Sequence, residues 1–335
     1  MNKFSWYDAQ TVEEAVAQLD STISTAIQDG GEGGAVAKSG GIDVLDLLKE
    51  GLVQPSKVVN IRNIKGLNTI SYDKKTGLTI GANATLSEIE GHAEVKQRYR
   101  ALYQSLEVAA NPHLRNMSTL GGNLAQRTRC WYFRSVDHKC LRKDGNTCFA
   151  RVGENQYHSV MRNGSCCSVH ASSIATALMA FNAKVEIAGK GGAKREVSME
   201  EFFVEPMKDL TKENILGPNE LITAVIVPPV SDKVKSAYVK HAMRDSTEWA
   251  IADVAIVAEV SGSKCKSAEV VLGAAAPVPL KIRESADALV SGGINEAAAT
   301  AAGEASMKEA TPLEKNKYKM PVFKAIVKRA VLQLV

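Results

Sequence analysis

The sequence predicts an α+β protein built in two parts. Helix-like and strand-like patterns alternate along all 335 residues, and this length exceeds one typical domain. The apolar strand predicted at residues 221–227 is stopped by Pro228 and Pro229, which cannot continue a paired strand. We therefore expect domains at residues 1–229 and 230–335, the first with lobes at about 1–57 and 58–229.

The first lobe reads as a compact βαβ-like unit. Thr11 can cap a helix over residues 11–28, since acidic residues follow in its first turn. A strand is expected at 35–38. A second helix runs through Leu45 and Leu48, and a strand at 57–61 closes the unit.

The rest of the chain follows the same two periodicities. Alternating stretches at 67–72 and 78–82 flank a turn ending in Gly77, which indicates a hairpin. Further helices are predicted at 86–92, 93–110, 172–182, 281–291, 295–306 and 319–334. Further strands are predicted at 183–187, 196–197, 236–243, 250–260 and 267–275.

Composition excludes several classes of function. The net charge is only +4, from 41 basic and 37 acidic residues, which argues against a nucleic-acid partner. Apolar runs stay below the ~20 residues that span a membrane. The first residues have no apolar core and no small-residue cleavage site, so we expect no secretion signal and a cytoplasmic location.

Two Gly-Gly loops are candidates for binding a phosphate-bearing ligand. Residues 39–43 (Ser-Gly-Gly-Ile-Asp) stand between a strand and a helix, and residues 119–123 read Thr-Leu-Gly-Gly-Asn. Glycine lets backbone N–H groups approach a pyrophosphate closely. Each loop alone is more often a plain turn, whereas the pair fits one extended dinucleotide held from two sides.

Five of the six cysteines are clustered. Cys130, Cys140, Cys148 and the pair Cys166 and Cys167 follow the spacing C-x9-C-x7-C-x17-C-C. The segment has none of the C-x2-C pairs usual in zinc ribbons, and widely spaced thiolates can hold an iron–sulfur cluster. Free buried cysteines remain the alternative for any one position. Cys265 is expected to be structural.

Both Gly-Gly loops resemble those of a known family. Residues 38–45 are similar to the first flavin loop of the FAD-binding subunits of xanthine dehydrogenase and the molybdenum hydroxylases, and residues 115–123 resemble the second. The resemblance covers the whole chain. It implies a two-lobed FAD-binding domain of the PCMH or vanillyl-alcohol oxidase type, followed by an α+β domain like that of carbon monoxide dehydrogenase flavoproteins.

The resemblance also implies positions for FAD. Backbone amides of the first loop would surround the pyrophosphate, the second loop would line the other side, Leu221 would pack near the flavin ring and Lys240 would face the cofactor. Ser39 and Ile42 replace the usual alanine and threonine, and Ser173 replaces an expected aspartate. The implied FAD-binding residues are Val36, Ala37, Lys38, Ser39, Gly40, Gly41, Ile42, Asp43, Arg115, Thr119, Gly121, Gly122, Asn123, Ser173, Leu221 and Lys240.

The cysteine segment carries a second resemblance. Residues 126–134 (Gln-Arg-Thr-Arg-Cys-Trp-Tyr-Phe-Arg) are similar to the cluster-bearing insertion of bacterial molybdenum aldehyde dehydrogenases. The insertion would span residues 126–170, and the implied ligands of a [4Fe–4S] cluster are Cys130, Cys140, Cys148 and Cys166. Cys166 is preferred to Cys167 because His170 follows it by four positions. His138 and His158 lie within the insertion and either could be a ligand, but a surface loop position is expected for both.

Together these resemblances imply an electron-transfer subunit of a molybdenum-dependent aldehyde oxidoreductase. The Mo cofactor would lie on a large partner subunit and [2Fe–2S] clusters on a small one, in a heterotrimer or a dimer of heterotrimers, with an external electron acceptor. Export to the periplasm would follow if a partner carried the signal. The alternatives are a subunit of a xanthine dehydrogenase or 4-hydroxybenzoyl-CoA reductase type complex, a stand-alone flavoprotein oxidase, and a zinc-binding interaction module.

Overall fold

The computed structural model of the chain describes residues 2–28, 32–244 and 247–335. Within these ranges the strands form three sheets of three, five and four strands, so the α+β prediction is confirmed. No helix in the described part of the chain is long and apolar enough to cross a membrane.

The first sheet is parallel, with strand order β1-β3-β2. Its elements are β1 (Ser5–Asp8), α1 (Val12–Gln18), α2 (Ile23–Gln28), β2 (Ala35–Lys38), α3 (Ile42–Lys49) and β3 (Lys57–Asn60). The single helix expected at 11–28 is wrong, because the chain leaves α1 at Leu19 in an extended conformation. The Thr22 hydroxyl then accepts a hydrogen bond from the Thr25 backbone N–H and supports a new helix start.

The second sheet has the order β4-β5-β8-β6-β7, and every pairing is antiparallel. Its strands are β4 (Ile70–Asp73), β5 (Gly77–Gly81), β6 (Lys184–Ala188), β7 (Lys194–Ser198) and β8 (Leu221–Val227). The first two form the predicted hairpin. The associated helices are α4 (Leu86–Gly91), α5 (Ala93–Arg98), α6 (Arg100–Glu107), α7 (Pro112–Arg115), α8 (Leu120–Leu124), α9 (Trp131–Arg134), α10 (Ser173–Ala180) and α11 (Met199–Phe202). The predicted helix over 93–110 is interrupted at Tyr99, whose backbone leaves the helical region.

The third sheet follows Pro229 and is antiparallel in the order β12-β11-β10-β9. Its elements are β9 (Val234–His241), β10 (Ala252–Ser261), β11 (Lys264–Gly273), β12 (Leu280–Lys281), α12 (Arg283–Gly292), α13 (Glu296–Ser306) and α14 (Lys319–Leu332). Tyr238 and Ala255 of this sheet share one apolar core with Leu102 and Ile174 of the preceding part. The third sheet therefore packs directly against the helices that precede it, and this contact places Lys240 beside the two Gly-Gly segments.

The cysteine-rich segment is mostly irregular and is held by the C-terminal part of the chain. The side-chain amide of Asn316 donates to the carbonyl groups of His158 and Ser159, at 3.1 and 2.9 Å. The buried ammonium of Lys319 donates to the His158 carbonyl at 2.9 Å. These contacts hold residues 158 and 159 through backbone groups that would otherwise be buried without partners.

Candidate functional site

The first Gly-Gly segment connects β2 to α3. Gly41 has a φ of 87°, a left-handed conformation that glycine adopts without strain. A Cβ atom on Gly40 would stand 2.0 Å from the carbonyl oxygen of Met117. Glycine is therefore required at position 40 because the backbone before the second segment passes against it.

The second segment is not the open loop that the sequence predicted. Thr119 is the residue before α8, and Gly121 and Gly122 lie inside this short helix. A Cβ atom on Gly121 would stand 3.0 Å from Cβ of Ala82, next to β5. Close packing of α8 on the second sheet thus explains why position 121 is a glycine.

A cavity of about 600 Å³ lies between the two Gly-Gly segments and the third sheet. Its volume is in the range of cofactor pockets. Most of the predicted FAD-binding residues line it: Ala37, Lys38, Ser39, Gly40, Gly41, Ile42, Asp43, Thr119, Gly122, Asn123, Ser173 and Lys240. The structure therefore brings residues of both Gly-Gly segments to one cavity.

A second cavity of about 160 Å³ adjoins the first, and Ala37, Ser39 and Gly122 line both. Gly121 and Leu221 belong to this smaller cavity. The structure brings two of the proposed residues to neither cavity. Val36 is fully buried in an apolar core, and the Arg115 guanidinium pairs with Glu90 at 3.0 Å.

Polar groups on the cavity walls fit a polar ligand. The hydroxyl of Thr119 is buried and has no hydrogen-bond partner among the described residues. The Ser39 hydroxyl donates to the Asn83 side chain at 2.7 Å, and Asn83 donates to the Ile61 carbonyl at 2.6 Å. Lys240 donates to the Val108 carbonyl at 2.7 Å, and burial lowers the pKa of this lysine. A cofactor with phosphates and hydroxyl groups offers partners to such atoms.

Asp43 connects the large cavity to the cysteine segment. Its Oδ1 atom accepts a hydrogen bond from the Arg134 guanidinium at 2.6 Å and forms an ion pair with the Arg129 guanidinium at 2.8 Å. Its Oδ2 atom accepts from the backbone N–H of Arg127 at 2.9 Å. The Asp43 side chain is thus already bonded within the chain. Only the Asp43 backbone remains available to a ligand.

Four cysteines meet at a separate small cavity of about 20 Å³. Cys130, Cys140, Cys148 and Cys166 line it, whereas Cys167 does not. Among the described residues, no three histidine, cysteine or acidic side chains converge closely enough to hold one metal ion. Burial raises the pKa of Cys130 to about 12, so a metal that bound this thiol as thiolate would have to displace its proton.

The wall of this cysteine cavity carries a buried positive charge. Arg142 donates from Nε to the Cys166 sulfur at 3.2 Å and pairs with Glu213 at 3.2 Å. Arg127 pairs with the same carboxylate at 2.6 Å. All three charged side chains are at most 5% exposed. Two guanidinium groups share one carboxylate, which leaves a net positive charge beside the cysteines.

His158 corrects a sequence-based expectation. It is buried rather than exposed on a surface loop, and its Nε2 atom lies 3.2 Å from the Cys130 sulfur. Burial, with a contribution from Lys319, lowers the pKa of His158 to about 4. A neutral imidazole next to a cysteine is therefore part of this site. His138 is partly exposed and lies outside the cysteine cavity.

The two sites share one short segment of chain. Gln126 and Arg129 line the large cavity, while Thr128 and Cys130 line the cysteine cavity. Residues 126–130 therefore form a common wall. The sequence indicated this neighbourhood through the adjacency of residues 119–123 to the cysteines.

Several wall residues carried no signal in the sequence. Asn83, Arg142 and Asp253 line cavities and Glu213 pairs with Arg142, yet these residues belong to no recognised motif and come from distant parts of the chain. Only their burial and their contacts identify them. Glu248 and Trp249 also line the large cavity, and Trp249 packs over the Arg129 guanidinium at 4.6 Å.

Comparisons with known proteins agree with this geometry. The family model for the FAD binding domain in molybdopterin dehydrogenase matches residues 2–230, and the model for the CO dehydrogenase flavoprotein C-terminal domain matches residues 237–334. The chain is 33% identical over 289 residues to the FAD-binding subunit of aldehyde oxidoreductase from Escherichia coli (strain K12), covering 86% of this chain and 87% of that protein.

Carbon monoxide dehydrogenase is a more distant relative. Its medium chain from Hydrogenophaga pseudoflava is 24% identical over 335 residues, covering 98% of this chain and 96% of that protein. A solved structure of this dehydrogenase, lacking the Mo-pyranopterin moiety, matches with a TM-score of 0.74 and 22% identity over 99% of this chain and 97% of that chain. The predicted fold, an FAD-binding domain followed by a carbon monoxide dehydrogenase-like domain, is confirmed.

Proposed function

Because this chain belongs to the FAD-binding subunits of the molybdopterin dehydrogenases, we propose that it transfers electrons within a molybdenum-dependent aldehyde oxidoreductase. The observation that carries the proposal is the pair of sites separated only by residues 126–130. Aldehyde is the favoured substrate class because an aldehyde oxidoreductase subunit is 33% identical over 86% of this chain.

FAD is assigned to the large cavity and its smaller neighbour. Backbone groups of residues 39–43 and the hydroxyl of Thr119 would hold its phosphates, and Leu221 would pack against its ring. Lys240 would approach from the third sheet. When bound, FAD supplies exchange between one-electron and two-electron transfer. The chain's own part is to bind and orient it and to keep it beside the cysteine segment.

A [4Fe–4S] cluster is assigned to Cys130, Cys140, Cys148 and Cys166. A single zinc ion requires its ligands to converge on one point, and these thiols do not converge so closely. A four-iron cluster bonds each thiolate to a different iron atom, so its ligands stand farther apart. The net positive charge of the arginine pair would offset the negative charge of such a cluster. The cavity holds about 20 Å³, so its walls must move outward to accept the cluster.

The remaining redox centres are assigned to partner chains. Substrate oxidation needs a molybdenum cofactor on a large subunit, and a small subunit with [2Fe–2S] clusters would deliver electrons to the FAD. The complex would be a heterotrimer or a dimer of heterotrimers that passes electrons to an external acceptor. No paired carboxylates or nucleophile–base pair are needed in this chain, since the substrate chemistry belongs to the large subunit.

The test is anaerobic reduction of the purified complex. We expect an aldehyde such as benzaldehyde to bleach the flavin absorbance, and xanthine to leave it unchanged. Bleaching by xanthine alone would assign the complex to the xanthine dehydrogenase type. If the isolated chain oxidises a substrate without partners, it is a stand-alone oxidase instead. Iron and acid-labile sulfide, measured on the isolated subunit, decide separately whether it holds a cluster.

A further inference from the structure

A buried carboxylate that no sequence motif indicated lies in a small cavity next to the large one. Asp253, on β10, is only 1% exposed. It lines a cavity of about 30 Å³ together with Arg129, Ser173 and Trp249, and these three residues also line the large cavity. The carboxylate therefore lies directly behind the wall that contains Ser173.

One side of this carboxylate is held and the other is not. The Tyr238 hydroxyl donates to Oδ2 of Asp253 at 2.6 Å. The Oδ1 atom is buried and has no hydrogen bond within the described part of the chain. Burying a polar atom without a partner is unfavourable, so a hydrogen bond that Oδ1 gains from a neighbouring hydroxyl would be favourable.

The neighbouring strand provides space for the carboxylate. Gly273 of β11 is the direct register partner of Asp253. A Cβ atom at position 273 would stand 1.7 Å from Oδ1 of Asp253 and 2.3 Å from the Thr176 hydroxyl. Only glycine at this position permits the aspartate to point toward α10, where Ser173 is the first residue.

Ser173 lines the same small cavity as this carboxylate. Burial raises the pKa of Asp253, and the neighbouring side chains of Tyr238, Ser173, Lys240 and Lys319 oppose the rise. A serine hydroxyl has one proton and two acceptor lone pairs. When its proton is directed to Asp253, the Ser173 oxygen is left to accept a hydrogen bond from the large cavity.

We propose that Asp253, acting through Ser173, positions a hydroxyl group of the bound FAD. Ser173 is the contact residue: its oxygen accepts a hydrogen bond from a hydroxyl of the FAD ribityl or ribose chain. Asp253 is a positioning residue on the third sheet, and it fixes the direction of the Ser173 proton. This inference rests on the proposed placement of FAD in the large cavity.

Substitution of Ser173 tests the contact. Apo-protein is titrated with FAD, and the dissociation constant is read from quenching of FAD fluorescence. We expect Ser173→Ala to raise this constant ~10-fold, the effect of one lost hydrogen bond of average strength. Ser71→Ala, on the exposed side of β4, is the matched control and should leave the constant unchanged. An unchanged constant for Ser173→Ala overturns the proposal.

A second pair of variants tests the role of Asp253. Ser173→Asp brings a second carboxylate against Asp253, so we expect weaker FAD binding by ~10-fold or more. The double variant Ser173→Asp with Asp253→Asn keeps one carboxylate and should return to within ~3-fold of the wild-type constant. If Ser173→Asp alone binds FAD as tightly as the wild type, or the double variant stays as weak as the single one, Asp253 has no such role.

Two measurements keep these outcomes distinct. Far-ultraviolet circular dichroism and the melting temperature identify a variant that fails to fold, and Ser173→Ala then decides, since it removes only one hydroxyl. Failure of the wild-type protein to bind FAD would contradict the proposed function itself. Wild-type FAD binding that is insensitive to residue 173 would contradict the present inference and leave the proposed function standing.

Discussion

Arg134 donates a hydrogen bond to Asp43 over 2.6 Å, and this contact joins the helix after the first Gly-Gly segment to the helix that follows Cys130. The Asp43 side chain is 16% exposed and that of Arg134 is 10% exposed. The pair is therefore only weakly screened by water. The first Gly-Gly segment and the cysteine segment, which are far apart in sequence, are thus joined through one carboxylate.

We predict that Asp43→Asn weakens both cofactor sites at once. The amide cannot pair electrostatically with two guanidinium groups, and we expect the free energy of unfolding to fall by about 2 kcal/mol. FAD affinity and iron content should fall together, measured by fluorescence titration and iron analysis. Asp46→Asn is the matched control, because Asp46 is 47% exposed and lies 3.5 Å from Arg129. If Asp43→Asn lowers only the FAD affinity or only the iron content, the two sites are not coupled through this residue.

The sequence predicted most of this architecture because local patterns carry it. The β4–β5 hairpin and the strand Leu221–Val227 follow from alternation and from turn or proline residues. Breaks within helices were missed where a side chain competes locally, as Thr22 does at the start of α2. A single helical periodicity continues across such a break, so the pattern does not record it.

The candidate site was predictable only where it rests on short motifs. The Gly-Gly segments and the four cysteines are local signals, and the structure places them on two adjacent cavities. Asp253 and Glu213 act through contacts with residues distant in sequence, and no spacing rule reports such contacts. The polar loop predicts a surface position for His158, whereas in the structure this residue is buried and its carbonyl group accepts hydrogen bonds from Asn316 and Lys319.

We predict that Gly40→Ala separates the two Gly-Gly segments. The added Cβ would stand 2.0 Å from the Met117 carbonyl oxygen, a backbone atom that cannot rotate away. We expect ~1–3 kcal/mol of destabilisation and a matching loss of FAD affinity, both measured by titration and thermal unfolding. Gly91→Ala, at the end of α4 with no atom within 4 Å of the new Cβ, should be neutral. Wild-type FAD affinity in Gly40→Ala would show that contact between the segments is not needed for binding.

We predict a large effect for Glu213→Gln. This change leaves the guanidinium groups of Arg127 and Arg142 buried without a carboxylate, and we expect about 3 kcal/mol of destabilisation in iron-free protein. The loss should be smaller in iron-loaded protein, since an anionic cluster would offset the charge. Glu304→Gln, whose carboxylate is 62% exposed beside Lys324, should change stability by less than ~0.5 kcal/mol. Equal losses with and without iron would mean that the cluster does not interact with the arginine pair.

Acid should destabilise the protein through His170. This residue is 7% exposed, its ring lies 4.5 Å from that of Phe203, and burial lowers its pKa from 6.5 to about 3. The unfolded chain takes up a proton below pH 6.5 while the folded chain does not, so stability falls as pH decreases from 6.5 toward 3. Between pH 7 and 5 this histidine should account for about 2 kcal/mol.

The variant His170→Leu isolates this contribution. Urea unfolding at pH 7 and pH 5, with FAD at one fixed concentration, should show a smaller difference than in the wild type. His113→Leu serves as the control, because His113 is exposed in the folded chain and should leave the difference unchanged. An unchanged pH dependence in His170→Leu would mean that other groups cause the acid sensitivity.

The choice between Cys166 and Cys167 as a cluster ligand gives the last prediction. Cys148 interacts with both thiols, so proximity to that residue does not separate them. Cys166 lines the cavity and accepts a hydrogen bond from Arg142, whereas Cys167 is fully buried outside the cavity wall. We expect Cys166→Ser to lose iron and labile sulfide, and Cys167→Ser to retain both, each measured per mole of FAD. Loss of iron and labile sulfide in Cys167→Ser alone would assign the fourth cluster ligand to Cys167 instead of Cys166. Full retention in both variants would leave the arginine-lined cavity without a cluster, and its buried positive charge would then need another explanation.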